Sequence, residues 1–599
     1  MHRLKRLGEL IRLFFTQLRE EGAKATFARM NGFLRRRLRS KRGRFLPARE
    51  ELERQRREDV SGWPRVSICT ALYNTDAKFL RAFLNSFLYQ TDQNSELCLA
   101  DASDSQHDYV RQMVAGCKTP RIQYIKLDRN GGISANTNAA AKLATGALLA
   151  LADHDDVLSP NACYELAKAA KSGAQFIYSD EALFSGDWMR PRVGHFKPDF
   201  APYYLENCNY ICHLTAFPAA RFWAVGGLRP EFDGSQDHDL FFRLTEGLAE
   251  TAICHIPKVL YYWRVHEGST SGGVGAKPYV TAAALRAIDE HLARTGVAGH
   301  AEQGRFPSTY RVVFDLPAPP PLVSILIPNK DHVDDLGRCL DSIYQKTTYA
   351  NFEVIVLENN SADEATFRYY EAQQAAHSSL RVVKYAGGFN FSAINNFGRK
   401  AARGDFLVLL NNDIEIISEN WLEELLQLAC QPKVGAVGAL LYYPDDTVQH
   451  AGVIIGLGGY AGHSHKYARR GHSGYMFRMA TVQDLSAVTA ALMMVPAAAF
   501  DAVGGLDEGF TVAFNDVDFC LRLRRAGYHV LFTPYAEATH CESKSRGLDK
   551  KGEAKVRFDS ERARLKERYG DALLHDPFYS PNLTLDMENF SEAAVLPKY

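Results

Sequence analysis

Three carboxylates within four positions follow a short apolar run in the first half of the chain. Asp153, Asp155 and Asp156 come directly after residues 147–152, and a run of this length is typical of a buried parallel strand. Open α/β sheets bind ligands where such strands end. Because like charges repel, the pattern favours a divalent cation, which takes carboxylate oxygens and often shares them with a diphosphate. The alternative is an acidic start to a helix predicted at 160–170.

The second half of the chain repeats this arrangement. The apolar residues 408–410 lead into Asn411-Asn412-Asp413-Ile414-Glu415, and Asp413 lies 258 positions after Asp155. Three other landmarks recur in the same order: Ser134-Ala135 as Ser392-Ala393, Arg65-Val66-Ser67-Ile68 as Leu322-Val323-Ser324-Ile325, and Asp237-His238-Asp239 as Asp516-Val517-Asp518. The last spacing is longer, which indicates an insertion in the Gly- and His-rich residues 452–474. Landmarks that recur in one order predict two copies of one α/β domain.

The composition is that of a globular protein with several domains. The chain has 599 residues, 46% of them hydrophobic, and its 70 Lys and Arg balance 70 Asp and Glu. That balance gives no electrostatic reason to expect nucleic-acid binding. The 11 cysteines include no Cys-x-x-Cys pair, which favours reduced thiols in a cytoplasmic protein. No apolar run is long enough to span a bilayer, and the N-terminus is too charged for a signal peptide.

Residues 1–62 differ from the rest of the chain. Apolar residues recur there at helical spacing among basic ones, and a second basic cluster lies at 35–44. A basic amphipathic helix predicts peripheral contact with an anionic membrane surface, which we assign to residues 1–46. Docking on the first domain is the alternative. Nucleic acid is not a predicted partner, because no nucleic-acid-binding fold accompanies the segment.

Strands and helices alternate through each copy, which predicts a mostly parallel sheet flanked by helices. In the first copy the predicted elements are strands at 66–71, 96–100, 122–126 and 176–178, a helix at 78–89, and a helix that opens after Gly131-Gly132. In the second copy the first two strands are predicted at 323–327 and 354–357. The glycines lack the G-x-G-x-x-G spacing of dinucleotide-binding turns, so a Rossmann dehydrogenase is not predicted.

At these positions the chain resembles the inverting, nucleotide-sugar-dependent glycosyltransferases of family 2, which have the GT-A fold, and it does so twice. The markers in the first copy are Thr70-Ala71-Leu72-Tyr73-Asn74, an acidic turn that begins at Asp101, the D-x-D element Asp153-His154-Asp155, an acidic pair after Gly226-Gly227-Leu228, and the late His266. Each motif is weak by itself, but the ordered set present twice is specific. The nearest likeness is to tandem-domain transferases that build bacterial surface polysaccharides such as O-antigens and rhamnose-containing glycans.

The resemblance covers residues 64–275 and 321–546 and divides the chain into five parts. A Pro-rich stretch at 317–321 marks the end of the connection between the two copies. We predict a basic amphipathic helical N-terminal segment at 1–62, a first GT-A domain at 63–275, a helical and Pro-rich linker at 276–320, a second GT-A domain at 321–546, and a helical C-terminal tail at 547–599.

The resemblance implies transfer of a sugar from a nucleotide-diphospho-sugar donor to a hydroxyl of a growing glycan or lipid-linked glycan. One Mg²⁺ or Mn²⁺ per domain would stabilise the leaving diphosphate. The residues it implies in the first domain are Asp153, Asp155 and His266 for the metal, Asp237 as the base, Asp239 to orient the helix or the acceptor, and Thr70, Tyr73 and Asp101 for the nucleotide-sugar. The alternatives are a structural histidine and helix-capping aspartates.

The second copy lacks the first carboxylate of the D-x-D element, because Asn411 stands there. By the same resemblance Asp413, with Glu415 and His540, would hold the metal, which keeps several waters. The base would be Asp516, supported by Asp518, and Glu358 or Asn359 would contact the base or ribose of the nucleotide. The histidines His463, His465 and His472 and residues 449–452 fit no ligand template, so we predict a mobile, solvated acceptor loop rather than a metal site.

Two catalytic domains predict two linkages made in turn on one glycan. The competing hypothesis is that one domain is a non-catalytic carbohydrate-binding or assembly scaffold, to which the missing carboxylate of the second copy lends weight. Glycoside hydrolysis would need paired carboxylates flanking a sugar cleft and does not explain the nucleotide-type sheet.

Overall fold

The computed structural model describes residues 42–266, 278–541 and 552–597. The basic helix predicted within residues 1–46 lies almost wholly outside these ranges, so membrane contact stays a prediction. Helix α1 (Arg49–Arg57) is described, and its Arg54 guanidinium donates to Tyr164 Oη at 3.3 Å. None of the helices in the described ranges combines the length and the apolar character that crossing a bilayer requires. All 11 cysteines lie in these ranges as free thiols.

Nine strands form the sheet of the first domain. They are β1 (Val66–Leu72), β2 (Glu96–Asp101), β3 (Ile122–Lys126), β4 (Leu148–Leu151), β5 (Val157–Leu158), β6 (Phe176–Phe184), β7 (Val193–His195), β8 (Thr215–Pro218) and β9 (Ile253–Arg264). Their order is β3-β2-β1-β4-β8-β6-β9-β5, with β7 paired to β6. On that path only β8 and β5 run against the other six strands. The prediction of a mostly parallel sheet is confirmed.

The connection between the domains adds the hairpin β10 (Gly299–Gln303) and β11 (Tyr310–Phe314). The second domain contains β12 (Val323–Asn329), β13 (Phe352–Glu358), β14 (Leu380–Lys384), β15 (Phe406–Leu410), β16 (Ile414–Ile416), β17 (Val434–Tyr442), β18 (Val448–His450), β19 (Val453–Ile455), β20 (Ala461–His463), β21 (Gln483–Asp484), β22 (Leu492–Pro496) and β23 (His529–His540). Its main sheet has the order β14-β13-β12-β15-β22-β17-β23-β16. Strand for strand this is the order of the first sheet, so the predicted duplication is confirmed.

Helices cover these sheets. Those up to the hairpin are α2 (Ala77–Leu88), α3 (Tyr109–Ala115), α4 (Ile133–Ala141), α5 (Ala162–Lys171), α6 (Pro202–Asn207), α7 (Ala219–Ala224), α8 (Gln236–Thr245) and α9 (Pro278–Thr295). Those after it are α10 (Val333–Lys346), α11 (Glu364–Ala376), α12 (Phe391–Ala401), α13 (Trp421–Ala429), α14 (Ala497–Ala502), α15 (Asn515–Arg525) and α16 (Gly552–Tyr569). Helix α2 illustrates the pattern, because Leu80, Phe83, Leu84 and Phe87 lie on one face and are buried.

A buried polar pair occurs in both domains at the same place. Ser67 Oγ donates to Glu96 Oε1 at 2.7 Å, and Ser324 Oγ donates to Glu353 Oε1 at 2.7 Å. In each case the backbone N–H of a glycine just before the next strand donates to the serine hydroxyl, at 3.0 and 2.9 Å. Buried polar groups need such partners. The pair therefore holds the turn before β4 or β15 against the first strand of its domain.

The two domains pack against each other through one continuous apolar core. Tyr204 and Phe314 from the first part of the chain belong to the same buried cluster as Trp421 of α13. The backbone N–H of Phe314 donates to Gln427 Oε1 at 2.9 Å. Residues 575–593, which we name the C-terminal segment, cross from α16 back to the first domain. The described parts of the chain thus form one packed unit.

Candidate active sites

The first candidate site lies at the carboxyl edge of β4 and β9. Asp155 follows β4, and His266 lies two residues beyond β9. His266 Nε2 is 2.8 Å from Asp155 Oδ2. Their side chains are 31% and 22% exposed, so one face of the pair is open to a ligand. A carboxylate beside an imidazole is a donor set that a divalent cation can use.

One loop, residues 209–213, connects the other predicted residues to this edge. Its Asn209 Nδ2 donates to Asp237 Oδ2 at 2.9 Å, and its His213 Nε2 is 3.5 Å from Asp153 Oδ2. Desolvation raises the pKa of Asp153 even though 45% of its side chain is exposed; His213 opposes this, and the nearby charges of Asp155 and Asp237 add to the increase. Asp153 and Asp237 thus contact the same five-residue loop, which brings a predicted metal residue and the predicted base to one region of the domain.

The third carboxylate of the acidic run points away from this cleft. Asp156 is buried and accepts hydrogen bonds from Tyr261 Oη and from the backbone N–H of Arg264, each at 2.6 Å. Burial raises the pKa of Asp156 well above its ordinary value, and the charges of Asp155 and Asp153 raise it further. Asp156 therefore ties the end of β9 to the end of β4. The helix that follows begins later, at Ala162, with Asn161 at its N-cap.

The second candidate site has the same carboxylate and imidazole. His540, the last residue of β23, places Nε2 3.2 Å from Asp413 Oδ1. Its Nδ1 lies 2.8 Å from Gln449 Oε1, which fixes the ring. Asn411, in the position of Asp153, places Nδ2 3.3 Å from His540 Nε2. An amide thus takes the place of the first carboxylate of the D-x-D element.

Asp516 contacts the wall of a cavity that His540 also lines. Its Oδ2 accepts from the backbone N–H of Ala490 at 3.2 Å, and its Oδ1 accepts from the N–H of Val517 at 2.8 Å. Enclosure raises the pKa of Asp516, and these hydrogen bonds lower it only in part. Asn411 N–H donates to Ala491 O at 3.0 Å, which connects Asp516 to the strand end that precedes Asp413. The cavity wall includes Asn411, Gln449, His463, Ala490, Asn515 and His540.

The residues predicted to bind nucleotide in the first domain differ in their surroundings. Asp101 ends β2 and accepts from Tyr124 Oη at 2.7 Å, from Lys126 Nζ at 3.1 Å and from Ser103 N–H at 2.8 Å. Burial opposes ionisation, but these hydrogen bonds lower the pKa of Asp101 below its ordinary value. Tyr73 is 47% exposed. Thr70 is buried, and its hydroxyl has no hydrogen-bond partner among the described residues.

Their counterparts in the second domain are buried and hydrogen-bonded within the protein. Glu358 accepts from Ser361 N–H and Ser361 Oγ, each at 2.6 Å, and from Tyr370 Oη at 2.7 Å. Asn359 Nδ2 donates to Gly387 O at 2.9 Å. Both side chains hold the turn after β13, and contact with a nucleotide stays a prediction.

The second aspartate of each acidic pair is fully buried among arginines. Asp239 receives the guanidinium of Arg229 and that of Arg243, whose Nη2 lies at 2.5 Å. Asp518 accepts from Arg522 Nε at 2.8 Å, Arg568 Nη1 at 2.6 Å and Tyr569 Oη at 2.8 Å. These contacts fix α8 and α15, which carry Asp237 and Asp516. Glu415 is exposed on β16, between the buried Ile414 and Ile416.

The prediction that residues 449–452 and the following histidines form a solvated loop was wrong for most of these residues, although His472 is exposed. Gln449, His450 and His465 are buried, with 3%, 0% and 7% of their surface exposed. His450 Nδ1 lies 2.8 Å from His463 Nδ1, and burial holds the pKa of His450 well below its ordinary value. The reason is tertiary packing: Ile454 of β19 lies in one buried cluster with Tyr579 and Leu583 of the C-terminal segment, and His465 N–H donates to the carbonyl of Glu588 at 2.7 Å.

Sequence reasoning did not single out Asn209, His213 or Lys197 as parts of the first site. Lys197 is fully buried, and its Nζ donates to the carbonyls of Ile211, at 2.5 Å, and His213 in the loop. The residues lie in irregular segments, which have no periodicity that could reveal them. The one available signal of a buried polar group was Lys197, a lysine among the largely apolar residues 196–201.

Both sites fit a divalent cation with two protein ligands. Within the described ranges no cluster of three or more His, Cys, Asp or Glu could enclose a metal by itself. Each cleft instead offers a carboxylate beside an imidazole: Asp155 with His266, and Asp413 with His540. Mg²⁺ normally keeps several waters and takes further oxygens from phosphates, so an open site of this kind suits it.

Comparison with known proteins gives a family for each half. Residues 67–215 match the family model described as "Glycosyl transferase family 2", and residues 319–557 match the one described as "Glycosyltransferase like family 2". Among solved structures, GalNAc-T7 with UDP, GalNAc and Mn²⁺ aligns with a TM-score of 0.37 and 14% identity over 45% of this chain and 51% of that chain. That likeness is too low to bear on function.

Two curated relatives align with most of the chain. The O-antigen biosynthesis protein RfbC of Myxococcus xanthus is 34% identical over 545 residues, which is 90% of this chain and 42% of that protein. An uncharacterized protein of Sinorhizobium fredii is 41% identical over 88% of this chain and 58% of that protein. The chain thus spans about half the length of these relatives. With two matching domains in the same strand order, the chain belongs to the family 2 glycosyltransferases and carries two of their GT-A domains in tandem.

Proposed function

We propose that the chain is a metal-dependent, inverting glycosyltransferase that moves sugars from nucleotide-diphosphate donors to hydroxyls of a growing bacterial surface polysaccharide. The observation that supports the proposal is the loop 209–213, which contacts both Asp153, a proposed metal ligand, and Asp237, the proposed base. The O-antigen biosynthesis protein of Myxococcus xanthus, to which 90% of this chain aligns, supports the kind of polymer.

In the first domain Asp155 and His266, beside Asp153, would hold Mg²⁺ or Mn²⁺. When bound, the ion stabilises the charge that develops on the departing diphosphate. Asp237 takes the proton of the acceptor hydroxyl as the hydroxyl oxygen attacks the anomeric carbon of the donor sugar. The bond from that carbon to the diphosphate breaks on the opposite face, so the configuration inverts. Hydrogen bonds from Asn209 and His238 N–H, each 2.9 Å long, hold the carboxylate in place, and each oxygen keeps a lone pair for the incoming proton.

The second domain would act in the same way on a second linkage. Asp413 and His540 would hold the cation, and Asp516 would be the base. The raised pKa of Asp516 strengthens it as a proton acceptor. For the nucleotide we propose Thr70, Tyr73 and Asp101 in the first domain and Glu358 or Asn359 in the second.

Separate Asp237→Asn and Asp516→Asn variants test the proposal. Each isosteric change removes one base, so we expect each to abolish one linkage, with a loss of about 10²- to 10⁴-fold in rate. The measurement is product length and linkage from purified protein with Mn²⁺ and a panel of nucleotide-sugars. Asp315→Asn, an exposed residue after β11, is the matched control and should leave both linkages intact. Full activity in both Asp237→Asn and Asp516→Asn would disprove the assigned bases.

A second candidate function has one specific observation in its favour. Where the first site has Asp153 and His213, the second has Asn411 and Ala491. The second domain would then be a non-catalytic scaffold that binds the glycan. If Asp516→Asn retains the full product length and linkage pattern while Asp237→Asn does not, the scaffold is the correct assignment.

We also propose that the protein works at the cytoplasmic face of the membrane, where the basic residues 1–46 would contact anionic lipid. The motivation is the amphipathic, basic pattern of that segment. Flotation with anionic liposomes, with and without residues 1–46, measures the contact. Equal recovery of the two proteins would remove this part of the proposal.

A further inference from the structure

We propose that the C-terminal segment is a positioning element of the first domain's site and acts through Asn582, Asp180 and Lys197. The inference rests on the proposed function, because it concerns the loop that holds Asp237. Beyond the proposed function, the inference states that the first site depends on the part of the chain that follows the second domain.

Lys197 is the innermost member of this chain of contacts. Its side chain is fully buried, and its Nζ donates to the carbonyls of Ser179 at 2.7 Å, Ile211 at 2.5 Å and His213. An ammonium group costs several kcal/mol to bury unless it is well paired, so these acceptors must stay in place around it. Two of the three carbonyls belong to the site loop, which Lys197 therefore fixes.

Glu181 also holds His213, through a hydrogen bond to its backbone. Its Oε2 accepts from His213 N–H at 3.1 Å and lies 3.3 Å from Lys197 Nζ. Both backbone polar groups of His213 are thus occupied by one buried ion pair. The His213 ring stacks on Tyr261 with centroids 4.7 Å apart, which leaves its Nε2 directed at Asp153. The orientation of the imidazole follows from the position of Lys197 and Glu181.

Asp180 connects Lys197 to the C-terminal segment. It is fully buried, and its Oδ1 accepts from Lys197 N–H at 2.8 Å and pairs with His255 Nε2 at 2.9 Å. Its Oδ2 accepts from Asn582 Nδ2 at 2.9 Å. The same Asn582 amide donates to the carbonyl of Pro257 at 2.8 Å. One side chain of the segment therefore bridges β6 and β9, the strands that flank the site.

The second domain holds the segment in place. Asp576 accepts from Ile455 N–H at 2.8 Å and from Ser486 Oγ at 2.6 Å. On the other side Asp199 N–H donates to the carbonyl of Pro577 at 2.7 Å. Between these contacts, Tyr579 and other apolar side chains of the segment pack in a cluster with residues of β5 and β6. The segment is thus anchored in both domains, and these anchors position Asn582 next to Asp180.

Asn582→Asp tests the inference, because it replaces the donor with a carboxylate that faces Asp180. Asn589→Asp is the matched control in the same segment, where the side chain is exposed. In an Asp516→Asn background we expect Asn582→Asp to lower kcat of the first linkage about tenfold or more, with KM for the donor nearly unchanged. Hydrogen exchange followed by mass spectrometry should show faster exchange in a peptide covering 205–214. The control should change neither quantity.

Asn582→Ala removes the donor without adding a charge, and we expect the same loop-restricted change with a smaller loss. Unchanged kcat and unchanged exchange in residues 205–214 would overturn the inference. So would equally faster exchange across all peptides, since that result describes global loss of stability. If Asp237→Asn itself leaves the first linkage intact, the proposed function fails, whereas an inactive Asp237→Asn with a normal Asn582→Asp refutes this inference alone.

Discussion

The two sites retain one pair of residues and differ in another. A carboxylate faces a late histidine in both, at 2.8 Å for Asp155 and 3.2 Å for Asp413. Beside it, the first site has a second carboxylate and its imidazole partner, whereas the second site has Asn411 and Ala491. His213 and Ala491 are equivalent, because each lies two residues before the strand residue that pairs with Leu151 or Leu409.

Both members of the Asp153–His213 pair are absent together from the second site. Loss of the histidine alone would leave a carboxylate in the cleft without its partner, which costs free energy. We infer from this joint difference that Asp153 and His213 act together. The carboxylate next to the late histidine does not require them, because the second site keeps it without them.

We expect the largest effect from Asp155→Ala and Asp413→Ala. Each removes the carboxylate beside the late histidine, which would cost several kcal/mol of transition-state stabilisation, or about 10³-fold in rate. The loss should be greater for Asp413→Ala, because Asn411 offers no charge where Asp153 does. Initial rates of each linkage during a Mn²⁺ titration measure the difference. Equal losses at every Mn²⁺ concentration would show that Asp153 does not contribute.

A smaller effect, on stability, is expected from the arginines that neutralise the equivalent buried aspartates Asp239 and Asp518. The two domains supply these arginines from different elements. Asp239 contacts Arg229 from its own domain, whereas Asp518 contacts Arg568 from α16. Arg229→Met and Arg568→Met each remove one hydrogen-bonded charge from a buried carboxylate, so each should lower the free energy of unfolding by about 2 kcal/mol. Urea denaturation measures this, with the half-exposed Arg562→Met as control. A loss no larger than the control would mean that α16 does not support α15.

The pair that differs can be converted by substitution. Asp153→Asn and His213→Ala, made singly, should each slow the first linkage about tenfold. If the pair is a unit, the double variant should lose less than the product of the two, with a coupling of about 1 kcal/mol. The measurement is a double-mutant cycle on kcat/KM in an Asp516→Asn background. Strictly additive losses would contradict the idea that the two residues act together.

The smallest effect is the pH dependence of the second linkage. Enclosure raises the pKa of Asp516, and a general base works only when it is ionised. The rate of the second linkage should therefore fall on acidification through a pKa above the ordinary value of about 3.9, and should be fully present above it. A pH profile of kcat/KM in an Asp237→Asn background measures this pKa. A rate that stays constant down to about pH 4 would refute the shift.

Much of the fold could be predicted because its signals are local. Apolar runs that end in polar residues indicated β1, β2, β4 and their counterparts, and recurring landmarks indicated the duplication that the strand order confirms. The same runs predicted that Asp155 and Asp413 follow buried strands, where the structure has them. The resemblance to family 2 glycosyltransferases, carried by the ordered motifs, agrees with the family of both domains.

The remaining parts of the sites could not be predicted for a physical reason. His213 and Asn209 lie in an irregular loop, so no periodicity reveals which way their side chains point. The spacing of the histidines fits no ligand template, which favoured a solvated loop, yet His465 is buried against Phe590 of the C-terminal segment. Such burial depends on which parts of the folded chain pack together, and the composition of a short stretch does not predict that.

By itself the sequence determined two copies of one α/β domain with carboxylates at equivalent strand ends, because strand patterns and repeated spacing are properties of neighbouring residues; the GT-A fold came from the resemblance to a family. Only the tertiary structure decided which side chains meet those carboxylates. The contact of His266 with Asp155 joins residues 111 positions apart, and that of Asn582 with Asp180 joins residues 402 positions apart. Such contacts form when sheets and segments pack together, and burial then holds each polar group to the partner it finds there.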